Sequence, residues 1–189
     1  LQNEMKVRFG HPANRVRGRV RKMKGTFSGG TAASLKATMA AAATNPHVLD
    51  LLRNPFSLTP GFEGPRQPSG AKPMLDEALG LWVAPFVMAA INTRNVHRSN
   101  FLLGQAYGAD FVYDEMLITG AGEKGEAFAK AVAADKSLGA EGGPKPGEGP
   151  SREEREAGFY DVLFLGQDAE GHSLRVGVRG DRDPGYGST

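Results

Sequence analysis

The stretch 15-RVRGRVRKMK-24 alternates between two kinds of residue. Valine or glycine occupies the even positions from 16 to 20, and arginine occupies the odd positions. The arginines are Arg15, Arg17, Arg19 and Arg21. A period of two is that of a β-strand with one buried face. The stretch therefore predicts a strand whose valines face a core and whose arginines face the opposite side.

Helix and strand patterns alternate along the rest of the chain. The predicted helices cover 31–44, 47–54, 86–104 and 126–139, and the other predicted strands cover 110–119, 159–166 and 172–181. The last two strands form a hairpin, and a Pro- and Gly-rich loop fills residues 54–73. This order predicts an α/β (α+β) fold with a mixed, largely antiparallel sheet covered by helices.

A dinucleotide-binding signature, G-x-G-x-x-G, is spelled by residues 120–125 between a predicted strand and a predicted helix. Three features argue against a cofactor site there. The preceding strand carries Asp114 and Glu115, whereas a doubly buried parallel strand is apolar. A loop rather than a strand follows the helix, and Glu123 would repel a phosphate. The residues therefore predict an ordinary strand-to-helix turn.

The absence of cysteine excludes disulfide frameworks and thiolate zinc sites, and fits a cytoplasmic protein. His11, His47 and His172 show no metal-ligand spacing, so no metal site is predicted and these residues are expected at the surface. The acidic pair Asp114 and Glu115 is expected on a solvated face, as is the charged run 153–156.

Charge is unevenly distributed along the chain. Residues 1–109 contain 14 Lys and Arg against 5 Asp and Glu, and residues 110–189 contain 9 against 16. Such segregation is typical of a nucleic-acid surface, of an anion pocket, or of two halves of one fold that neutralise each other. Aromatic residues do not interleave with the basic strand, which disfavours nucleic acid.

Two polar groups of residues are candidate binding sites. The turn Ser28, Gly29, Gly30 and Thr31 precedes the Ala-rich helix, where free N–H groups can hold an anion; an ordinary helix cap is the alternative. The second group lies within one predicted helix and consists of Asn92, Arg94, His97, Arg98, Ser99 and Asn100. Like charges four residues apart on a helix repel, so an anionic ligand or a distant carboxylate is expected near this group.

Five segments together resemble the saccharopine dehydrogenase-like oxidoreductases, a family that includes the trans-acting enoyl reductases. They are 25-GTFSGGTAAS-34, 54-NPFSLTPGFEGP-65, 91-INTRNVHRSN-100, 143-GPKPGEGPS-151 and 180-GDRDPGYGST-189. The resemblance implies that a Rossmann domain binding NAD or NADP lies upstream of this chain, and that residues 1–189 form a single substrate-binding and dimerisation domain. Both ends of the sequence also read as cut: residues 1–9 look like the tail of a helix capped by Gly10.

The resemblance further implies a cleft opposite the nicotinamide, lined by Ser28–Thr31 and by a second set of residues. That set is Asn92, Arg94, Arg98, Ser99 and Asn100. The expected function is hydride transfer to a C=C or C=N bond of a small-molecule or acyl substrate, in a homodimer, with no cofactor residue in this chain. The alternatives are a non-catalytic scaffold whose arginine-bearing strand contacts a membrane surface, and a basic nucleic-acid-binding domain.

Overall fold

The structure is a computed structural model that describes residues 1–25, 29–135, 145 and 147–183. The helices in this part of the chain are α1 Gln2–Phe9, α2 Gly29–Thr44, α3 Pro46–Arg53, α4 Ala89–Leu102, α5 Gly122–Ala134 and α6 Arg152–Glu156. The strands are β1 Arg15–Lys24, β2 Met74–Asp76, β3 Leu81–Pro85, β4 Val112–Gly120, β5 Phe159–Gln167 and β6 Ser173–Asp181.

The chain divides into two compact units. The first unit consists of residues 1–21, 54–133 and 162–178, and the second unit consists of residues 22–53, 134–161 and 179–189. The expectation that all residues form a single substrate-binding domain stays a prediction. Within the described residues, no helix combines the length and the apolar character needed to cross a membrane.

The six strands form one mixed sheet in the order β2-β3-β4-β1-β5-β6. Strand β1 runs parallel to β4, from Arg15 opposite Val112 to Val20 opposite Leu117. Strand β3 runs antiparallel to both β2 and β4. Strands β5 and β6 are neighbours joined by a short turn and are therefore antiparallel. This confirms the predicted α/β fold with a mixed, largely antiparallel sheet.

Several elements follow from local signals. Helix α1 ends at Gly10, whose φ of 79° lies in the left-handed region and whose N–H donates to Lys6 O at 3.0 Å. Helix α6 begins at Ser151, which forms a capping box with Glu154. In the charged run 153–156, Glu153, Glu154 and Glu156 are exposed, as expected for a solvated face, and Arg155 is half-buried. Residues 184–189, the end of the segment 180–189 quoted above for the family resemblance, lie outside the described residues.

The main core of the first unit lies on one face of β1 and β4. The buried side chains there are Met5, Ala13, Val16, Phe111 and Tyr113. Residues of α1, α4, β5 and β6 pack against this cluster, including Phe9, Val96, Phe164 and Leu174. We call this side of β1 and β4, which carries Val16, Gly18, Tyr113 and Glu115, the apolar face.

The opposite side of the same two strands carries the odd-numbered residues of β1. We call it the arginine face, and it comprises Arg15, Arg17, Arg19, Arg21, Asp114 and Met116. The sequence pattern predicted a strand with one buried face, but the structure buries both. Arg19 has only 1% of its surface exposed, and Met116 also 1%. The arginine face is therefore partly interior, because carboxylates from β2 and β4 compensate the charge of its most buried arginine, Arg19.

Candidate functional site

Asp114 and its neighbours form an ionic network on the arginine face. Arg19 donates from Nε to Asp76 Oδ2 at 2.6 Å and from Nη1 to Asp114 Oδ2 at 2.7 Å. Arg15 pairs with the other oxygen of Asp114. Burial lowers the pKa of Arg15 below its ordinary value, although Asp114 opposes that shift. Basic and acidic halves of the sequence thus neutralise each other here, which was one of the three explanations for the uneven charge.

Glu115 is held differently on the apolar face. Its Oε2 accepts from Asn92 Nδ2 at 2.8 Å, and its Oε1 accepts from the Tyr113 hydroxyl. Burial, reinforced by the charge of Glu115, raises the pKa of Tyr113 well above its ordinary value, so the hydroxyl stays protonated and remains a donor. Gly18 leaves room for this pair: a Cβ there would lie 2.9 Å from Glu115 Cγ and 3.1 Å from the Tyr113 hydroxyl.

The expectation that Asp114 and Glu115 lie on a solvated face is therefore wrong. Asp114 is 5% exposed and Glu115 is 9% exposed. Strand β4 is a buried strand that runs parallel to β1. Its two acidic residues therefore do not count against a cofactor-binding turn after it. The sequence does contain one signal for this burial. The predicted strand 110–119 is acidic and the strand 15–24 carries arginines, and strands of opposite charge can pair.

The turn at residues 120–125 has two features of a dinucleotide-binding turn. Helix α5 begins at Gly122, directly after β4, and a Cβ at Gly125 would lie 2.2 Å from the carbonyl oxygen of Gly120. Glu123, however, is exposed in the first turn of α5, where its charge opposes a bound phosphate. Residues 136–144 and 146, which follow α5, lie outside the described residues.

Helix α4 positions most of the polar residues predicted to bind substrate. The side-chain amide of Asn92 is fixed by Glu115. Its side-chain oxygen, Oδ1, has no hydrogen-bond partner in the described part of the chain. Arg94 donates to the carbonyl oxygen of Ala90, and burial lowers its pKa. Arg98 donates to Leu58 O at 2.8 Å and lies 6.0 Å from the centre of the Phe101 ring. Ser99 donates to Asn95 O at 2.8 Å.

Asn100 has a different environment from its neighbours on α4. It is 3% exposed, and its amide nitrogen donates to Gln105 Oε1 and to Gly108 O, both at 2.9 Å. Its Oδ1 accepts from the N–H of Tyr107 at 2.7 Å. These bonds hold the loop after α4, in which Gln105 has a φ of 62°. Asn100 thus secures the loop rather than facing an open surface.

The turn before α2 belongs to the second unit. Ser28 lies outside the described residues, whereas Gly29, Gly30 and Thr31 begin the helix. The N–H of Gly29 donates to the carbonyl oxygen of Glu148 at 2.8 Å, so this group is not free to hold an anion as expected. Gly30 and Thr31 are exposed, and Thr31 makes contacts of its own.

His172 was expected to lack acidic neighbours at metal-ligand spacing, and this is wrong. Ligand atoms of Asp168, Glu170 and His172 lie within 4.8 Å of one another. His172 Nδ1 lies 2.9 Å from Asp168 Oδ2, and the backbone N–H of His172 donates to Asp168 Oδ1 at 2.8 Å. These bonds close the turn between β5 and β6, which explains why the three side chains converge.

Two alternative functions relied on an exposed basic strand. Arg19 is instead buried and Arg15 is ion-paired, so the four arginines of β1 do not form an open basic surface. The predicted absence of nucleic acid and the predicted membrane contact remain predictions. Any membrane contact by this strand would have to use residues other than Arg19.

Comparison with known proteins identifies relatives of this chain. No protein-family profile matches the chain, and no solved structure matches it. A Mycobacterium tuberculosis protein named as a candidate trans-acting enoyl reductase is 34% identical over 195 aligned residues, which cover 90% of this chain and 46% of that protein. Trans-acting enoyl reductases of Mycobacterium ulcerans and Mycobacterium bovis are each 32% identical and are matched over 70% of this chain and 38% of their own length.

The chain spans about half the length of the first of these curated relatives and less of the other two. The wider membership in the saccharopine dehydrogenase-like oxidoreductases stays a prediction. The resemblance to the trans-acting enoyl reductases is confirmed. Over nine-tenths of its length, this chain is a homologue of the trans-acting enoyl reductases.

Proposed function

We propose that this chain is the substrate-binding part of an NAD(P)-dependent oxidoreductase of the saccharopine dehydrogenase-like family, which reduces a C=C bond of an acyl substrate. The observation that carries the proposal is 34% identity over 90% of the chain to a protein named for enoyl reduction. Reduction of a C=N bond is the alternative chemistry. The cofactor, NAD or NADP, binds mainly to a part of the protein outside these 189 residues.

Reduction of an enoyl group adds a hydride to one carbon and a proton to its neighbour. A reduced nicotinamide supplies the hydride when it is bound. The role left to this chain is to hold and orient the acyl substrate, and hydrogen-bonding side chains on a rigid helix suit that role. Helix α4 offers the guanidinium groups of Arg94 and Arg98, the Ser99 hydroxyl and the carbonyl oxygen of Asn92.

Asn92 is the most precisely held of these groups. Its amide nitrogen is bonded to a buried carboxylate, which in turn is bonded to the buried Tyr113 hydroxyl. This chain of hydrogen bonds fixes the direction of the Asn92 carbonyl oxygen, which can then accept a hydrogen bond from substrate. The anion seat at Ser28, Gly29, Gly30 and Thr31, in the second unit, stays a separate prediction.

Asn92→Ala in the natural full-length protein tests the proposal, with NADPH oxidation by an enoyl thioester as the assay. We expect kcat/KM for the thioester to fall about tenfold or more, the size expected for one lost hydrogen bond in a substrate site, while KM for NADPH stays unchanged. Asn95→Ala is the matched control, since Asn95 is an exposed asparagine on the same helix. Equal losses in both variants, or an altered KM for NADPH alone, would contradict the assignment.

The expected homodimer is part of this proposal. In the second unit, α2 and α3 carry exposed apolar side chains, including Leu35 and Met39 on α2, and Met39 is 58% exposed. Apolar groups left open on one protomer favour association. Sedimentation velocity should show a dimer that Met39→Glu weakens; a monomer at all concentrations would exclude this part of the proposal.

A further inference from the structure

The arginine face carries more positive charge than its carboxylates compensate. Asp114 uses one oxygen for Arg15 and the other for Arg19. Asp76 uses Oδ2 for Arg19 and Oδ1 for the N–H of Ala78 at 3.1 Å. Both carboxylates are therefore fully engaged with groups other than Arg17.

Arg17 lies in the middle of this network. It is opposite Asp114 in the β1–β4 register and lies on the same strand face as Arg15 and Arg19. It is half-buried, and within the described residues no hydrogen bond or ion pair engages it. A half-buried cation without a partner is unfavourable, and its charge also lowers the pKa of Arg15. An anion bound at Arg17 would relieve both effects.

Residues from the far edges of the sheet close over the same face within the first unit. Leu174 packs with the apolar face, so Arg175 points to the opposite side of β6. Arg175 Nη2 donates to the carbonyl oxygen of Ala78, beside β2, at 3.0 Å. Since β2 and β6 are the two edge strands, this bond requires the arginine face to be concave. A concave face can enclose a small ligand but does not fit a flat bilayer.

We infer that the arginine face binds the phosphate group of a small soluble ligand, with Arg17 as its direct contact. Arg21 makes contacts of its own. The other arginines of this face, with Arg175, number four against the two carboxylates Asp76 and Asp114, which leaves a surplus of two positive charges among these six residues. A phosphate monoester carries about −1.5 to −2 at pH 7, and the planar guanidinium matches two of its oxygens. The inference does not depend on the proposed reductase function.

Calorimetric titration of pyrophosphate into the full chain, at fixed ionic strength, tests the inference. Arg17→Gln should weaken binding about tenfold or more, because it removes a charge-assisted bidentate contact. Arg17→Lys should keep part of the affinity. The control is Arg8→Gln, which removes the same charge from an exposed pair with Glu4 on α1 and should change the affinity less than about twofold. Undetectable binding to the wild type, or equal binding to Arg17→Gln, would overturn the inference.

Thermal unfolding separates a ligand contact from a structural role. Without added anion, Arg17→Gln should have the same Tm as the wild type or a higher one, since it removes an uncompensated charge. Pyrophosphate should raise the Tm of the wild type more than that of the variant at the same concentration. A marked loss of stability in anion-free Arg17→Gln would mean that Arg17 has a structural partner, and would contradict the site.

Vesicles of phosphatidic acid distinguish the two sources of phosphate. The concave face predicts no vesicle binding that depends on Arg17. Binding that Arg17→Gln abolishes and Arg8→Gln retains would mean that the ligand is a membrane headgroup, and would overturn the assignment to a soluble ligand.

Discussion

The two faces of β1 and β4 bury carboxylates in opposite ways. On the arginine face, Asp114 is held by the formal charges of Arg15 and Arg19. On the apolar face, its neighbour Glu115 is held by two neutral donors, the Tyr113 hydroxyl and the Asn92 amide. Adjacent acids in one strand therefore serve separate purposes. The first joins strands across the sheet, and the second orients a side chain on α4.

The largest expected effect comes from removing Arg19 from the ionic network on the arginine face. Arg19→Met would leave Asp76 without its cation and Asp114 with only Arg15. Removing one partner of a buried ion pair costs about 3–5 kcal/mol, and chemical denaturation should show a loss of this size. Arg8→Met, which breaks an exposed pair on α1, should cost less than about 1 kcal/mol. Similar small losses in both variants would mean that the Arg19 network does not stabilise the fold.

The second-largest expected effect is the pH dependence of the free energy of unfolding caused by His97. His97 is 3% exposed, lies between the rings of Phe56 and Phe111, and has a buried Nε2 with no partner in the described chain. Burial lowers its pKa from 6.5 to about 4. The unfolded chain therefore binds more protons between these values, so the free energy of unfolding should fall as pH drops from 6.5 towards 4. The loss is roughly 3 kcal/mol.

Denaturant titrations at several pH values measure this effect. His97→Phe removes the titrating group while keeping an aromatic ring, and should flatten the pH dependence between pH 4 and 6.5. An unchanged slope in this variant would show that other groups cause it.

Gly18→Ala tests whether the absence of a side chain at position 18 makes room for the hydrogen-bonded pair Glu115 and Tyr113. The added Cβ would crowd Glu115 Cγ and the Tyr113 hydroxyl, and overpacking of this kind costs about 1–3 kcal/mol. A double-mutant cycle with Tyr113→Phe should show that part of this cost depends on the hydroxyl. Full additivity would mean that the crowding does not involve Tyr113.

The smallest effect is expected at Arg17, two residues from Arg19 on the same face. Because Arg17 has no partner among the described residues, Arg17→Gln should change the free energy of unfolding by less than about 0.5 kcal/mol. The contrast between Arg17 and Arg19, measured under identical conditions, shows how much of the stability comes from pairing rather than from charge alone.

The sequence predicted the elements whose signals are local. The alternation in β1 and the hairpin of β5 and β6 each lie within a few residues, and both appear in the structure. Strands β2 and β3 were not predicted, because three and five residues are too short for a periodic signal. The predicted helix over 126–139 begins earlier, at Gly122.

Predictions about burial were less successful, because they depend on pairing between distant residues. Arg19 and Asp114 are 95 positions apart, and the opposite charges of β1 and β4 do not by themselves fix that the two strands are parallel neighbours. The polar group on α4 was found from its sequence alone. The role of Glu115 in holding Asn92 required the fold, since 23 residues separate them.

Calorimetric titration of NADPH and NADH, against this chain and against the natural full-length protein, shows which part of the protein holds the cofactor. We expect one or both nucleotides to bind the full-length protein and neither to bind these 189 residues alone. Binding to the isolated chain that is lost on substitution of Gly122 or Gly125 would disprove this expectation, and would place the cofactor at the turn between β4 and α5.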